Sequence, residues 1–292
     1  MKSVKVSCIQ LNTADITSEE NYYQTVSGLV EEAASLGSVL VTLPAYTQAF
    51  LLWEFNDLES YLNQSSEIIN NRKQKFLEKH IKIAQNYGVY LLPGSFFSCK
   101  NGKIYHSSCM ISPEGEVLLE QDQTHLSKRE RNLGLQRGKI LETVKTEIGG
   151  LGLCVGNDCY YPEVSRILTL RGADIILCPN AIEGEYNRWK QFAGMWQEVQ
   201  QNQIFGMESC LVGELWDVTF DGRTTIYAPC EMTEGEKGIL NIKHDGGTGF
   251  ILASLSFDAR ERVIEHYPIL KHLNRRLYRK MFPLLYKERE AD

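Results

Sequence analysis

The chain has 292 residues, of which 43% are apolar and 23% charged, and a formal net charge of −6. This length suits one large domain or two small ones, and the composition is that of a soluble globular protein. The mild acidity argues against a broad nucleic-acid-binding surface and gives no reason to invoke an anionic membrane.

The opening MKSVKVSCIQL alternates apolar and polar residues at period two, which predicts a strand over 4–11. A signal peptide would show a continuous apolar core there, and no run approaches a membrane span, so the expected compartment is the cytoplasm. Thr17-x-x-Glu20 reads as a capping box, opening a helix that runs to Gly37. SVLVTLP is a buried strand that Pro44 stops. Residues 58–87 form a long charged amphipathic helical region, and Gly88 leads into VYLLPGSFF, another buried strand. Residues 104–111 and 116–120 flank Ser112-Pro113-Glu114-Gly115 and predict a hairpin. A polar loop at 126–139 precedes ILETVKTE, a Gly-Gly turn and GLCVGND. Pro162 opens a helix, ADIILCP is a short buried strand, and 188–203 is helical. Strands follow near 205–216, 224–227, 238–242 and 250–255. No linker, repeat or low-complexity segment appears. The pattern predicts a layered α/β fold, a single domain over 1–292 with 268–292 as a basic, aromatic C-terminal arm.

Eight cysteines (Cys8, Cys99, Cys109, Cys154, Cys159, Cys178, Cys210 and Cys230) are scattered without a CxxC pair and read as buried reduced thiols. The six histidines are equally scattered, so no metal site is expected, and no organic cofactor is implied. DGGTG at 245–249 reads as a hairpin turn rather than a phosphate loop.

Six landmarks in order then carry a resemblance. VLVTLPAY, QTHL, GNDCYYPE, QNQIFG, FDGRTTIYAP and PILKHLNRRLY resemble successive elements of the nitrilase superfamily, the carbon–nitrogen hydrolases. The resemblance spans nearly the whole chain. It implies a four-layer α-β-β-α sandwich, association as a homodimer or larger oligomer through helices, and a C-terminal arm crossing the dimer interface. It also implies cleavage of amides, carbamoyl amides or nitriles by a glutamate base, a lysine and a cysteine nucleophile. A thiol needs a carboxylate to take its proton, and the resulting oxyanion needs positive charge or aligned N–H donors.

Carried over residue by residue, the resemblance puts Ala45 at the base position, Gln123 at the lysine position and Gly156 at the nucleophile position. Pro44 anchors the first, His125 and Leu126 the second, and Asp158, Pro162 and Glu163 the third. All three catalytic side chains are missing. Glu130 fits the family's second glutamate, although it reads equally as a surface ion-pair residue in SKRER. Tyr46, His125, Asp158, Tyr161 and Trp189 complete the set of pocket candidates, with a structural role at the elbow as the plainer reading of Asp158 and core packing as that of the aromatics. Possible stand-ins are Cys154, Cys159, Lys128 and Glu54, each read first as structural or solvated.

Losing the charges together avoids leaving one buried and unpaired. The chain is therefore expected to be a catalytically silent member. It would bind a small amide- or carboxylate-containing molecule or act as an oligomeric partner, with no role for nucleic acid or membrane. The alternative is a hydrolase or acyltransferase that acts on an amide-like substrate with displaced residues.

Overall fold

The computed structural model describes residues 3–55 and 57–287, so 288–292 of the expected arm lie outside the described residues. The chain begins with β1 (Ser3–Asn12) and α1 (Glu19–Ser35). Ser18 rather than Thr17 caps α1. Its hydroxyl accepts the Asn21 N–H, and the Asn21 side chain accepts the Thr17 N–H. The predicted box is thus shifted by one residue.

After β2 (Leu40–Thr42), the predicted 58–87 helix is two: α2 (Leu58–Leu62) and α3 (Ser66–Tyr87). Ser65 causes the break by capping the second helix with its own side chain. The predicted strand through VYLLPGSFF is likewise divided into β3 (Tyr90–Leu92) and β4 (Ser95–Lys100), since Pro93 has no N–H for a ladder. Gly94, at φ +89, follows it; a Cβ there would lie 2.3 Å from the Pro44 carbonyl oxygen. Only glycine lets these two loops meet.

β5 (Lys103–Ile111) and β6 (Val117–Asp122) form the predicted hairpin, and the expected polar loop holds α4 (Lys128–Asn132). β7 (Thr143–Thr146) and β8 (Gly149–Leu153) turn at Glu147 and Ile148, so the Gly-Gly pair belongs to the strand. Next come α5 (Pro162–Leu170), β9 (Ile175–Asn180), α6 (Arg188–Phe192) and α7 (Met195–Asn202); the last two are one predicted helix broken at Ala193 and Gly194. The remainder is β10 (Phe205–Leu215), β11 (Val218–Phe220), β12 (Thr225–Tyr227), β13 (Ile239–Ile242), β14 (Gly249–Ser256), α8 (Phe257–His266) and α9 (Arg275–Leu285). β11, α8 and α9 go beyond the predicted elements.

Strand alternation builds the layers. In β1, Val4, Val6 and Cys8 face one core while Ile9 and Leu11 face another. In one sheet β1, β2 and β3 run parallel, β14 flanks β1, and the β4–β5–β6 meander extends the far side. In the other, β8, β9 and β10 run parallel, with β7 at one edge and β12–β13 at the other. The sheets join where the ends of β1 and β10 pair, Leu11 opposite Leu211.

Between the sheets lies a core made almost wholly of strand residues, among them Leu151, Leu177 and Met207. Val26 of α1 and Phe76 of α3 pack on the outside of the first sheet, and Val164 of α5 and Val199 of α7 on the outside of the second. The architecture is the expected α-β-β-α sandwich. α9 buries no residue and exposes Leu277, Phe282, Leu284 and Leu285. Among the described residues no helix is long and apolar enough to cross a membrane.

Candidate active-site pocket

The chain segments that follow β2, β6 and β8, together with the end of β9, converge at one end of the sandwich. The carboxyl ends of parallel strands are where α/β sheets usually place their sites. Here they enclose a partly open pocket of about 280 Å³ lined by Ala45, Tyr46, Gln123, Glu130 and Gly156 among others. The Ala45 N–H donates to the Asn180 carbonyl oxygen at 3.3 Å, tying the end of β2 to that of β9. Tyr46 has a left-handed backbone (φ 59°, ψ 19°), which strains a non-glycine residue. Two contacts hold it there. Its N–H donates to Ser95 Oγ at 2.7 Å, and its ring lies parallel to that of His106, with centroids 4.6 Å apart.

The inner end of the pocket is a closed hydrogen-bond network around the buried Glu130 carboxylate. Oε1 accepts from Tyr46 Oη at 3.0 Å and from His106 Nδ1 at 3.0 Å. Oε2 accepts from Gln123 Nε2 at 3.1 Å and from the Ser127 N–H at 2.7 Å. The last bond closes a capping box, because Ser127 Oγ accepts the Glu130 N–H. His106 Nδ1 also approaches Gln123 Oε1 at 2.6 Å, so it faces two acceptors and carries a proton. On the other side of the ring, Nε2 lies 2.5 Å from Ser95 Oγ. Burial pushes the Glu130 carboxyl up, but His106, the Ser127 N–H and Tyr46 outweigh it and hold the group at about 2.

Gly156 sits opposite Gln123 with φ +53, a left-handed elbow. A Cβ built there would lie 3.5 Å from Gln123 Nε2, an ordinary contact, so the backbone resists a side chain more than space does. Asp158 locks this elbow to the loop after β6. Its carboxylate accepts the Thr124 and His125 N–H groups at 3.0 and 2.8 Å and the Thr124 hydroxyl at 2.7 Å.

The carbon-nitrogen hydrolase family matches this chain over residues 5–264. The chain belongs to that family. The deaminated glutathione amidase of Mus musculus is 25% identical over 281 residues, covering 91% of this chain and 82% of its own. A nitrilase of Pyrococcus abyssi is 25% identical over 247 residues, 82% of this chain and 89% of its own. Among solved structures, a carbon-nitrogen hydrolase from Helicobacter pylori G27 shares the fold with a TM-score of 0.79 at 19% identity, covering 98% of this chain and 99% of that one.

Ala45, Gln123, Gly156, Tyr46 and Glu130, brought together from distant parts of the chain, all line the pocket of this family member. The other predicted positions fall outside its lining. His125 stacks on Tyr161 at 3.8 Å between ring centroids on the outer side of the elbow. Asp158 is wholly buried behind it. Trp189 is 75% exposed and packs edge-on to Phe192. None of the stand-ins reaches the pocket either. Cys154 and Cys159 are buried in the core beneath α5 and α7, Lys128 is exposed, and Glu54 pairs with Arg72 at the surface. Burial pushes the Cys154 thiol well up. The Cys159 thiol, although the Cys178 hydrogen bond lowers it, is also raised by burial.

Sequence reasoning missed His106, Ser127, Asn157, Tyr160, Asn180 and Lys190, all of which line the pocket. Asn180 carried a usable signal as a polar residue closing an apolar strand at its carboxyl end. His106 carried none, because a polar residue inside KIYHSSCMI has no spacing motif. Asn157, Tyr160 and Lys190 have no side-chain hydrogen-bond or ion-pair partner among the described residues, and this sets the outer pocket apart from the saturated inner end. The group of potential metal donors among the described residues is Cys159, Cys178 and Glu208, beneath the pocket.

Proposed function

We propose that this family member is catalytically silent and that its pocket binds a small amide- or carboxylate-containing molecule. The observation that carries the proposal is the saturation of Glu130. Its four acceptor positions are taken by Tyr46, His106, Gln123 and Ser127, so it has no free lone pair with which to accept a nucleophile's proton. No cysteine lines the pocket, and the raised Cys154 and Cys159 thiols hold little thiolate near neutral pH. The open cavity favours a binder over a filled scaffold. The unengaged Lys190 ammonium, Asn157 amide and Tyr160 hydroxyl are donors suited to a carboxylate or an amide carbonyl.

Calorimetric titration with a panel of short amides and carboxylates is expected to find saturable binding. Ammonia release from amides and nitriles is expected to stay at the uncatalysed rate. Turnover that Cys154→Ser or Cys159→Ser abolishes would refute the proposal and favour the displaced-residue hydrolase.

The proposal includes self-association. The apolar face of α9 gives it a physical basis, since Leu277, Phe282, Leu284 and Leu285 would otherwise stand in water. Light scattering is expected to give at least a dimer mass, and Leu285→Glu with Phe282→Glu is expected to shift it toward monomer. A monomeric wild-type protein would remove this part of the proposal.

A further inference from the structure

Beneath the pocket floor lies a polar group for which the silent-pocket proposal has no use. Cys159 is on the turn after Gly156, Cys178 is on β9, and Glu208 is its paired neighbour on β10. One donor atom from each, two sulfurs and a carboxylate oxygen, lie within 4.8 Å of one another, and all three residues are wholly buried. Zinc bonds of about 2.3 Å to sulfur and about 2.1 Å to oxygen place tetrahedral donors roughly 3.5–3.8 Å apart, so a contraction of up to about 1 Å completes three corners of such a shell.

Buried thiols alone are ordinary core residues. Glu208 makes this group different. It forms no ion pair among the described residues, and its hydrogen-bond partners are all neutral: Asn180 Nδ2 to Oε1 at 2.8 Å, and Gln191 Nε2 and Tyr227 Oη to Oε2, each at 2.7 Å. Buried carboxylates are normally paired with a cation or bound to a metal. Oε2 has two donors and Oε1 only one, which leaves the carboxylate with acceptor capacity to spare.

We infer that Cys159, Cys178 and Glu208 bind one divalent ion of the zinc type. Two thiolates and a carboxylate suit zinc and select against magnesium and calcium, which prefer all-oxygen shells. Each of the three groups binds the ion in its deprotonated form, and the protons displaced pass to solvent. The ion ties the Gly156 elbow to β9 and β10. Asn180 links it to the cavity, since this side chain reaches Cys159 Sγ at 3.7 Å, bonds Glu208 and also lines the pocket.

The test is titration of the full-length chain, reduced and stripped with a chelator, with cobalt(II) or zinc(II) alone. Cobalt is expected to bind one ion per chain with an intense near-ultraviolet thiolate charge-transfer band, and zinc is expected to displace it. Cys159→Ser and Cys178→Ser should each weaken binding at least about tenfold, the lower range for groups that merely support a ligand, and lower the band's intensity. Glu208→Gln keeps the shape of the side chain and both thiols, so it should weaken binding by a similar factor yet retain the band; it also serves as the test if a serine variant fails to fold. Cys230→Ser, outside the cluster, should change nothing. Absence of the band in the wild type, or a band that survives in both serine variants at full affinity, overturns the assignment.

Discussion

Glu130→Ala is expected to destabilise the protein by about 3–5 kcal/mol, because it removes one member of a buried charged network and leaves its partners unsatisfied. Tyr46 Oη, His106 Nδ1, Gln123 Nε2 and the Ser127 N–H all lose an acceptor at once. Tyr46 and Gln123 both line the pocket and both lose their bond to Glu130, so ligand binding in the pocket should be lost with the stability. The carboxyl is held at about 2, below its ordinary 4.5. A lowered folded-state value means that the contribution is fully present above about pH 4.5 and lost as pH falls toward 2. The gap corresponds to about 3 kcal/mol. Glu130→Gln should therefore flatten the acid limb of stability between those pH values, while costing less at neutral pH than alanine does. Chemical denaturation at a series of pH values measures both effects. An acid limb unchanged in Glu130→Gln would mean that His106 and its neighbours do not hold the carboxylate as described.

The layers of the fold were legible because period-two strands alternate with amphipathic helices, and alternation in β1 or β9 assigns residues to the right core. Breaks inside long helical stretches were not legible. Ser65 restarts a helix through a local side-chain bond, and Gly94 is required by a loop from elsewhere in the chain; neither cause shows in periodicity. The three positions Ala45, Gln123 and Gly156 could be read because each is anchored by its neighbours in sequence. His125 was expected in the pocket from its place in the QTHL landmark and Tyr161 and Trp189 from residue type, and neither gives direction: a stacked pair beside the elbow and an exposed indole satisfy the same sequence. His106 is the opposite case. It bonds Glu130 from across the β5–β6 hairpin, and only the tertiary structure shows that its Nδ1 faces the carboxylate. Glu130, expected as a retained glutamate beside the three emptied positions, is the carboxylate at the centre of this network, and His106 of β5 is the donor that the sequence did not announce.

Gly156→Cys alone is expected to yield a folded protein with no hydrolytic activity. The added Cβ meets Gln123 Nε2 at an ordinary 3.5 Å, so the cost is that of a side chain on a left-handed backbone, about 1–2 kcal/mol. The new thiol would face a pocket whose carboxylate is saturated, and nothing would take its proton. Adding Ala45→Glu and Gln123→Lys changes that. The lysine can pair with Glu130, which is already in reach of Gln123, and supply positive charge beside the elbow; the new glutamate supplies the base. Introduced together, the charges offset one another in a buried site where either alone would be costly. Release of ammonia from a simple amide by the triple variant should exceed that of Gly156→Cys by at least about 100-fold, the lower range of general-base catalysis. Trapping of an acyl-thioester by mass spectrometry should locate the acyl group on the new cysteine. Two outcomes separate cleanly. A single variant that already hydrolyses amides would show that native groups still supply a base, and the silent pocket would be rejected. A triple variant that folds, with a melting transition near that of the wild type, yet stays inert would show that the pocket has drifted from a catalytic geometry as well as lost its side chains.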